Sequence, residues 1–267
     1  MPYPYKSITS PQNETVKHLA RLAQSSRDRR REGVMLLEGI HLLQSSLEQG
    51  VEPLAVYVND QSVAHAEVSR LLQVLSADCD VIAMPDAVLA KASALASAPE
   101  LLTMCRRPEA GQMVAGESCV LLEDLQDPGN IGTILRGAAA SGVRSVWLSK
   151  GCADVYSPKV LRAGMGAHFV LDIHEQADLA SAMRGFAGRR LVTHLEGSVS
   201  LYAEDLSGPV ALVFGNEGAG VSEALVALAD ARVRIPMPGH AESLNVAMAA
   251  TVCLFERVRQ CEAKAGR

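Results

Sequence analysis

No apolar run in the 267-residue chain approaches the ~20 residues that cross a membrane, and the N-terminal MPYPYKSITS lacks the core of a signal peptide. A soluble, unprocessed, cytoplasmic protein without a membrane partner is expected. The six cysteines (Cys79, Cys105, Cys119, Cys152, Cys253 and Cys261) form no C-x-x-C pair. That spacing argues against a zinc site or a disulfide framework, so reduced thiols and no metal are expected. Aromatic residues are only 4% of the chain, too few for a platform that stacks single-stranded bases. An excess of positive charge is also missing. At net −5 the chain cannot coat nucleic acid through bulk charge. Disorder is excluded too, because 48% of residues are hydrophobic and only 21% charged.

The charge that is present is unevenly placed. The first 40 residues hold seven basic side chains against four acids, a balance of +3 that leaves −8 for the remainder. Such a block reads either as a polyanion contact or as a solvated helix face. Ser10-Pro11 reads as a helix cap followed by proline, with the helix running to residue 24. Strands are predicted at 34–38, 54–58 and 80–84, with helices at 39–49, 63–74 and from 85; residues 101–105 close that sheet. Residues 106–117 are polar, carry one proline and two glycines, and read as a linker. Beyond it, strands are predicted at 119–123, 145–149, 169–173, 191–195, 210–214 and 232–235. Helices are predicted at 131–141, 158–163, 177–185, 222–228 and 244–259. Alternation with apolar strands implies a parallel sheet covered on both faces, and hence two α/β domains, 1–108 and 117–267.

Ligands in such sheets bind in the loops that follow the strands. Three of these loops are chemically loaded. In the first, Asp127-Pro128-Gly129 is turn chemistry, Asn130 sits where the turn becomes a helix, and Arg136 follows within two turns. Taken singly, Asn130 could be a cap and Arg136 a surface ion-pair partner. The second, from Gly215 to Ser222, has the glycines of a phosphate loop but Val221-Ser222 where Lys-Ser/Thr is needed, and Glu217 would repel phosphates. A nucleotide-hydrolysing loop is rejected; the loop could still admit an uncharged adenosine moiety through backbone amides, or be only a tight turn. The third runs from Ile235-Pro236-Met237 through His240, with Ser243 as a natural cap and Asn245 in the first helical turn. His240, Cys152, Tyr156, Lys159 and Arg162 lie where they could reach a substrate, and the sequence does not decide it.

Together Asn130-x-Gly132-x-x-x-Arg136, Gly215-x-Glu217-x-x-Gly220 and Ile235-Pro236-Met237 with Ser243-Leu244-Asn245-Val246 resemble, in order, the three motifs of the SpoU (TrmH-like) branch of the SPOUT RNA methyltransferases. The N-terminal region is more loosely similar to the substrate-binding domain of ribosomal-RNA members. The resemblance implies a sheet whose C-terminal segment forms a deep trefoil knot, against the general rule for chain topology. It implies S-adenosylmethionine as cofactor, contacted by Gly215, Ile235 and Leu244, with Gly220 shaping the pocket and Leu195 as a neighbour. It also implies methyl transfer to a ribose 2′-hydroxyl, with Arg136, Asn130, Glu217, Ser243 and Asn245 as the catalytic set. Structured RNA, ribosomal rather than transfer RNA, would meet Lys17, Arg21, Arg27, Arg29, Arg30 and Arg31, and a homodimer would form through the C-terminal domain. A tRNA enzyme and a catalytically silent ribosome-assembly factor on the same fold are the other readings.

Overall fold

Residues 6–94, 99–111 and 116–266 are described by the computed structural model; of the expected linker, residues 112–115 lie outside them. The chain divides into two units, Met1–Pro108 with Tyr156–Phe169, and Glu109–Val155 with Val170–Arg267.

In the first unit the order is β1 (Lys6–Ser7), α1 (Glu14–Gln24), α2 (Ser26–Glu32), β2 (Val34–Glu38), α3 (Ile40–Glu48), β3 (Pro53–Asn59), α4 (Ala66–Gln73), β4 (Asp80–Met84), α5 (Asp86–Ala92) and β5 (Leu101–Arg106). The strands lie in the order β1-β4-β3-β5-β2, with β5 antiparallel to both of its neighbours. Helix α1 buries Val16, Leu19, Leu22 and Ala23. Full burial of each leucine contributes roughly 1.5–3 kcal/mol. Its cap is Asn13, whose Oδ1 accepts from Thr15 N at 2.9 Å. Ser10 was expected there, but its hydroxyl accepts from Gln12 N in the preceding turn, and Pro11 stays outside the helix. Helix α2 was not foreseen, because its charged sequence has no apolar stripe. Ser25 caps it and Gly33, at φ +66°, ends it.

The second unit opens with β6 (Cys119–Leu122), α6 (Pro128–Ala140) and β7 (Ser145–Leu148). Next in the chain, α7 (Pro158–Gly164) starts on the expected Ser157-Pro158 cap; it belongs to the first unit, where it packs on β2. The strand expected at 169–173 is displaced. Ala167–Phe169 is a 3-10 turn, and the strand is β8 (Asp172–His174). Then come α8 (Leu179–Gly185), β9 (Arg189–Thr193), β10 (Val199–Ser200), β11 (Val210–Phe214), α9 (Glu223–Val226), β12 (Ala231–Arg234) and α10 (Val246–Lys264). The seven strands are all parallel, in the order β10-β12-β9-β11-β6-β7-β8. All five residues of β11 are buried, as a central strand covered on both faces requires. One core cluster joins Leu121, Val192 and Val213 to Met183, Leu225 and Val226 of α8 and α9. Helices α6 and α10 pack against each other. Chain order reverses between β6 and β11, which places a crevice beyond Leu122 and Phe214.

Candidate active site

The crevice at the reversal is closed by the protein's own polar groups. Helix α6 begins earlier than expected, with Asp127 as its cap: Oδ1 accepts from Asn130 N at 2.8 Å. Asn130 is therefore in the first turn and its amide is free to work elsewhere. Asn130 Nδ2 donates to Glu217 Oε1 at 3.0 Å, and Asn130 Oδ1 accepts from Asn245 Nδ2 at 2.9 Å. Glu217 also accepts from the N–H groups of Gln126 (3.4 Å) and Asp127 (3.3 Å). Asn245, not Ser243, caps α10, its Oδ1 accepting from Ala247 N at 2.9 Å and Met248 N at 3.3 Å. One chain of side chains thus ties the three loops together. Partial burial disfavours the charge on Glu217, but the donors from Asn130, Gln126 and Asp127 outweigh it and hold its carboxyl below the usual range. At neutral pH it is an anion that accepts bonds, not an acid.

The loop after β11 is folded back on itself. A Cβ at Gly215 would meet Gly220 C at 2.1 Å and Val221 N at 2.2 Å, so only glycine fits. Gly220 has φ +72°, and its N–H donates to Asn216 O at 2.9 Å. Asn216 Oδ1 accepts from Gly218 N (2.9 Å) and Ala219 N (3.0 Å), while its Nδ2 donates to Asp124 O at 2.8 Å. These bonds fix a small ring of backbone without any cation in it.

Beside this ring lies a cavity of about 810 Å³, between the ends of β9, β11 and β12 and the start of α10. Its walls include Leu195, Gly215, Gly220, Ile235 and Leu244, the five residues expected to hold the cofactor. Leu195 is 61% exposed, an apolar lip at the mouth. Glu196, Glu217 and Glu223 line it against Arg234, whose guanidinium donates to Ser198. Carboxylates in that excess suit a cationic ligand better than a phosphate.

Of the expected catalytic residues, Glu217, Ser243 and Asn245 line the cavity and Asn130 is one hydrogen bond from it. Arg136 does not line it. It lies six residues beyond Asn130 on α6, hence ~9 Å along the axis and about 120° around the helix, exposed and bonded to no described side chain. His240, Cys152 and Tyr156 are not in the wall either. Among the expected RNA contacts Arg29 is a correction. It is 2% exposed and donates to Leu22 O and, at 3.1 Å, to Ala23 O, closing the end of α1. Lys17, Arg21, Arg27, Arg30 and Arg31 remain exposed, though Lys17 pairs with Glu14, and Arg21 and Arg31 with Asp28 and Glu32. Glu123, Asp124 and Asn216, which brace the loop after β11 by hydrogen bonds, are not singled out by the sequence. Their signal is only that Glu123 and Asp124 follow a strand and Asn216 sits between loop residues already named.

Residues 117–255 match the family described as the SpoU rRNA Methylase family, and residues 13–103 the MRM3-like substrate binding domain. The chain is 36% identical to an uncharacterized tRNA/rRNA methyltransferase of Synechocystis sp., over 95% of this chain and 94% of the relative. It is 28% identical to the 23S rRNA (guanosine(2553)-2'-O)-methyltransferase of Bacillus subtilis, over 94% and 98%. Among solved structures, the AdoMet-bound rRNA methyltransferase from Sinorhizobium meliloti superposes with a TM-score of 0.82 at 29% identity, covering 96% of this chain and 98% of that one.

Proposed function

The chain belongs to the SpoU rRNA methylase family, and from that premise we propose that it transfers a methyl group from S-adenosylmethionine to a ribose 2′-hydroxyl of ribosomal RNA. The observation that carries this reading is the hydrogen-bonded chain Glu217–Asn130–Asn245, which joins all three loops at the rim of one cavity. Gly215, Gly220, Ile235, Leu244 and Leu195 would hold the donor, and the three carboxylates of the lining suit its positive charge. When bound, the donor supplies a methyl group on a sulfonium, ready for in-line displacement.

The acceptor is a neutral hydroxyl, a poor nucleophile, so the site must favour loss of its proton and fix the oxygen. Arg136 is not the base, since a guanidinium offers only hydrogen-bond donors and no acceptor for a proton. Exposed and unpaired with any described side chain, it is suited to grip the adjoining phosphate and stabilise the developing alkoxide, while water or that phosphate takes the proton. Both ends of the Asn130 amide are held by Glu217 and Asn245, so it fixes the loops against each other. Ser243 adds a hydroxyl to the polar wall.

The RNA is held by the N-terminal domain, 1–108, through Lys17, Arg21, Arg27, Arg30 and Arg31; phosphate grips of this kind suit structured RNA. The catalytic domain, 117–267, forms a homodimer through α10, where Met248 and Phe255 are 60% and 45% exposed. The enzyme works in the cytoplasm; no helix among the described residues is long and apolar enough to cross a membrane. The test is to incubate the protein with labelled S-adenosylmethionine and, separately, 23S rRNA, 50S particles and bulk tRNA. Label in ribosomal RNA or particles is expected. Label in tRNA alone moves the substrate, and label in none supports a silent assembly factor.

A further inference from the structure

One residue outside the cavity wall fastens both ends of the loop that would bind the donor. Glu123 N donates to Phe214 O at 2.9 Å, where the loop begins. Its carboxylate accepts from Ser222 N at 2.7 Å and from Ser222 Oγ at 2.6 Å, where the loop ends. Ser222 stands at the cap of α9, yet its hydroxyl makes no cap bond and is given to Glu123 instead. The span between the anchors, 215–221, contains the Gly215 fold-back and the Asn216 ring. Its start is held by the backbone of Glu123 and its end by the side chain of the same residue. The next residue reinforces the clasp. Asp124 adopts φ +54°, uncommon for a residue with a side chain, and its carbonyl accepts from Asn216 Nδ2 at 2.8 Å. Glu123 does not line the cavity.

We propose that Glu123 is a positioning residue for the methyl donor: it holds residues 215–221 in the donor-binding shape without touching the donor. This inference rests on the reading of the cavity as the S-adenosylmethionine site. It predicts an effect on donor binding in excess of any effect on the folded state. A clasp of two charge-assisted bonds, once cut, lets the loop populate open forms that cannot bind, and the donor restores the closed form when it saturates.

The test uses the full chain as wild type, E123A, E123Q and S222A. Donor KM and kcat are measured on RNA, S-adenosylhomocysteine binding by calorimetry, and thermal melting alongside. E123A is expected to raise the donor KM and the Kd for S-adenosylhomocysteine by about tenfold, with kcat at saturating donor within about twofold of wild type. E123Q should come back to within about threefold, because its carbonyl still accepts from Ser222 N and its amide can donate to Ser222 Oγ. An unchanged KM in E123A, or a loss of kcat with no change in KM, overturns the proposal. Should E123A fail to fold, S222A decides: about a threefold rise in donor KM supports the clasp, and a wild-type KM overturns it. If wild-type protein binds no S-adenosylhomocysteine, the cavity reading itself fails; if wild type binds and E123A binds equally well, only the role of Glu123 fails.

Discussion

Replacing Gly215 by alanine tests the cavity through its tightest contact. The new methyl would stand 2.1 Å from Gly220 C and 2.2 Å from both Gly220 O and Val221 N, where ordinary contact begins near ~3.4 Å. The backbone must therefore part by ~1.3 Å at the tightest contact. It is held there by Gly220 N–Asn216 O and by the bonds of the Asn216 side chain, so the parting breaks the ring. Overpacking of this kind costs roughly 1–3 kcal/mol. If the donor binds only the closed ring, that cost is charged against binding, and affinity falls by about 5–150-fold. Melting should move little, because Gly218, Ala219 and Gly220 are exposed while the strand before them stays packed. Calorimetric titration of Gly215→Ala with S-adenosylhomocysteine, beside a thermal melt, is the assay. Wild-type affinity in a folded Gly215→Ala protein would refute the placement of the donor against this ring.

Four further substitutions probe other parts of the site and the fold. Arg136→Lys should lose at least about tenfold in kcat while donor binding stays within about twofold, since lysine cannot reproduce the forked grip; full activity across neutral pH would sink a specific guanidinium role. Arg29→Ala should cost roughly 2–3 kcal/mol of stability by stripping the carbonyls of Leu22 and Ala23, whereas Arg27→Ala should leave melting unchanged and lower the salt dependence of RNA binding by about one unit. Equal melting of the two variants would contradict the inward placement of Arg29. Asp230 is held at about 2 by the side-chain bonds of Arg190, against burial, with Arg190 N–H adding to them. Because the folded-state value is depressed, its stabilisation is present above the ordinary carboxylate range and fades as pH falls from about 4 towards 2. The pair is about a third exposed, so Asp230→Asn should cost only about 1 kcal/mol at pH 7, and the variant's stability curve should converge on wild type in acid. Parallel curves between pH 5 and 2 would show that this pair does not titrate as described.

Most longer strands were legible because apolar runs such as Val210–Phe214 are bounded by turn residues. The two-residue strands β1 and β10 carry no such run, and the strand expected at 169–173 is displaced to Asp172–His174. Caps were less legible. Ser10, Asn13, Ser243 and Asn245 are all capable acceptors, and which one starts a helix depends on where the chain leaves the preceding turn. Arg29 was misread for a related reason: in a run of arginines, only the packing of α2 beneath α1 tells which one turns inward. The loops' residue types were plain in the sequence, but their wiring was not. Asn130 meets Glu217 across 87 residues and Asn245 across 115, and nothing local in a first-turn asparagine reports partners so distant. Glu123 escaped notice because an acid at a strand end is ordinary until Ser222 is seen against it.

The atom that receives the methyl group is the most direct measurement. RNA labelled by the protein with S-adenosylmethionine is digested completely to nucleosides and separated by mass. The label is expected in a 2′-O-methylnucleoside at a position that resists alkaline cleavage, and Arg136→Ala is expected to abolish it. Label on a base, with the 2′-hydroxyl still free and the backbone still cleaved by alkali, would contradict methyl transfer to the ribose.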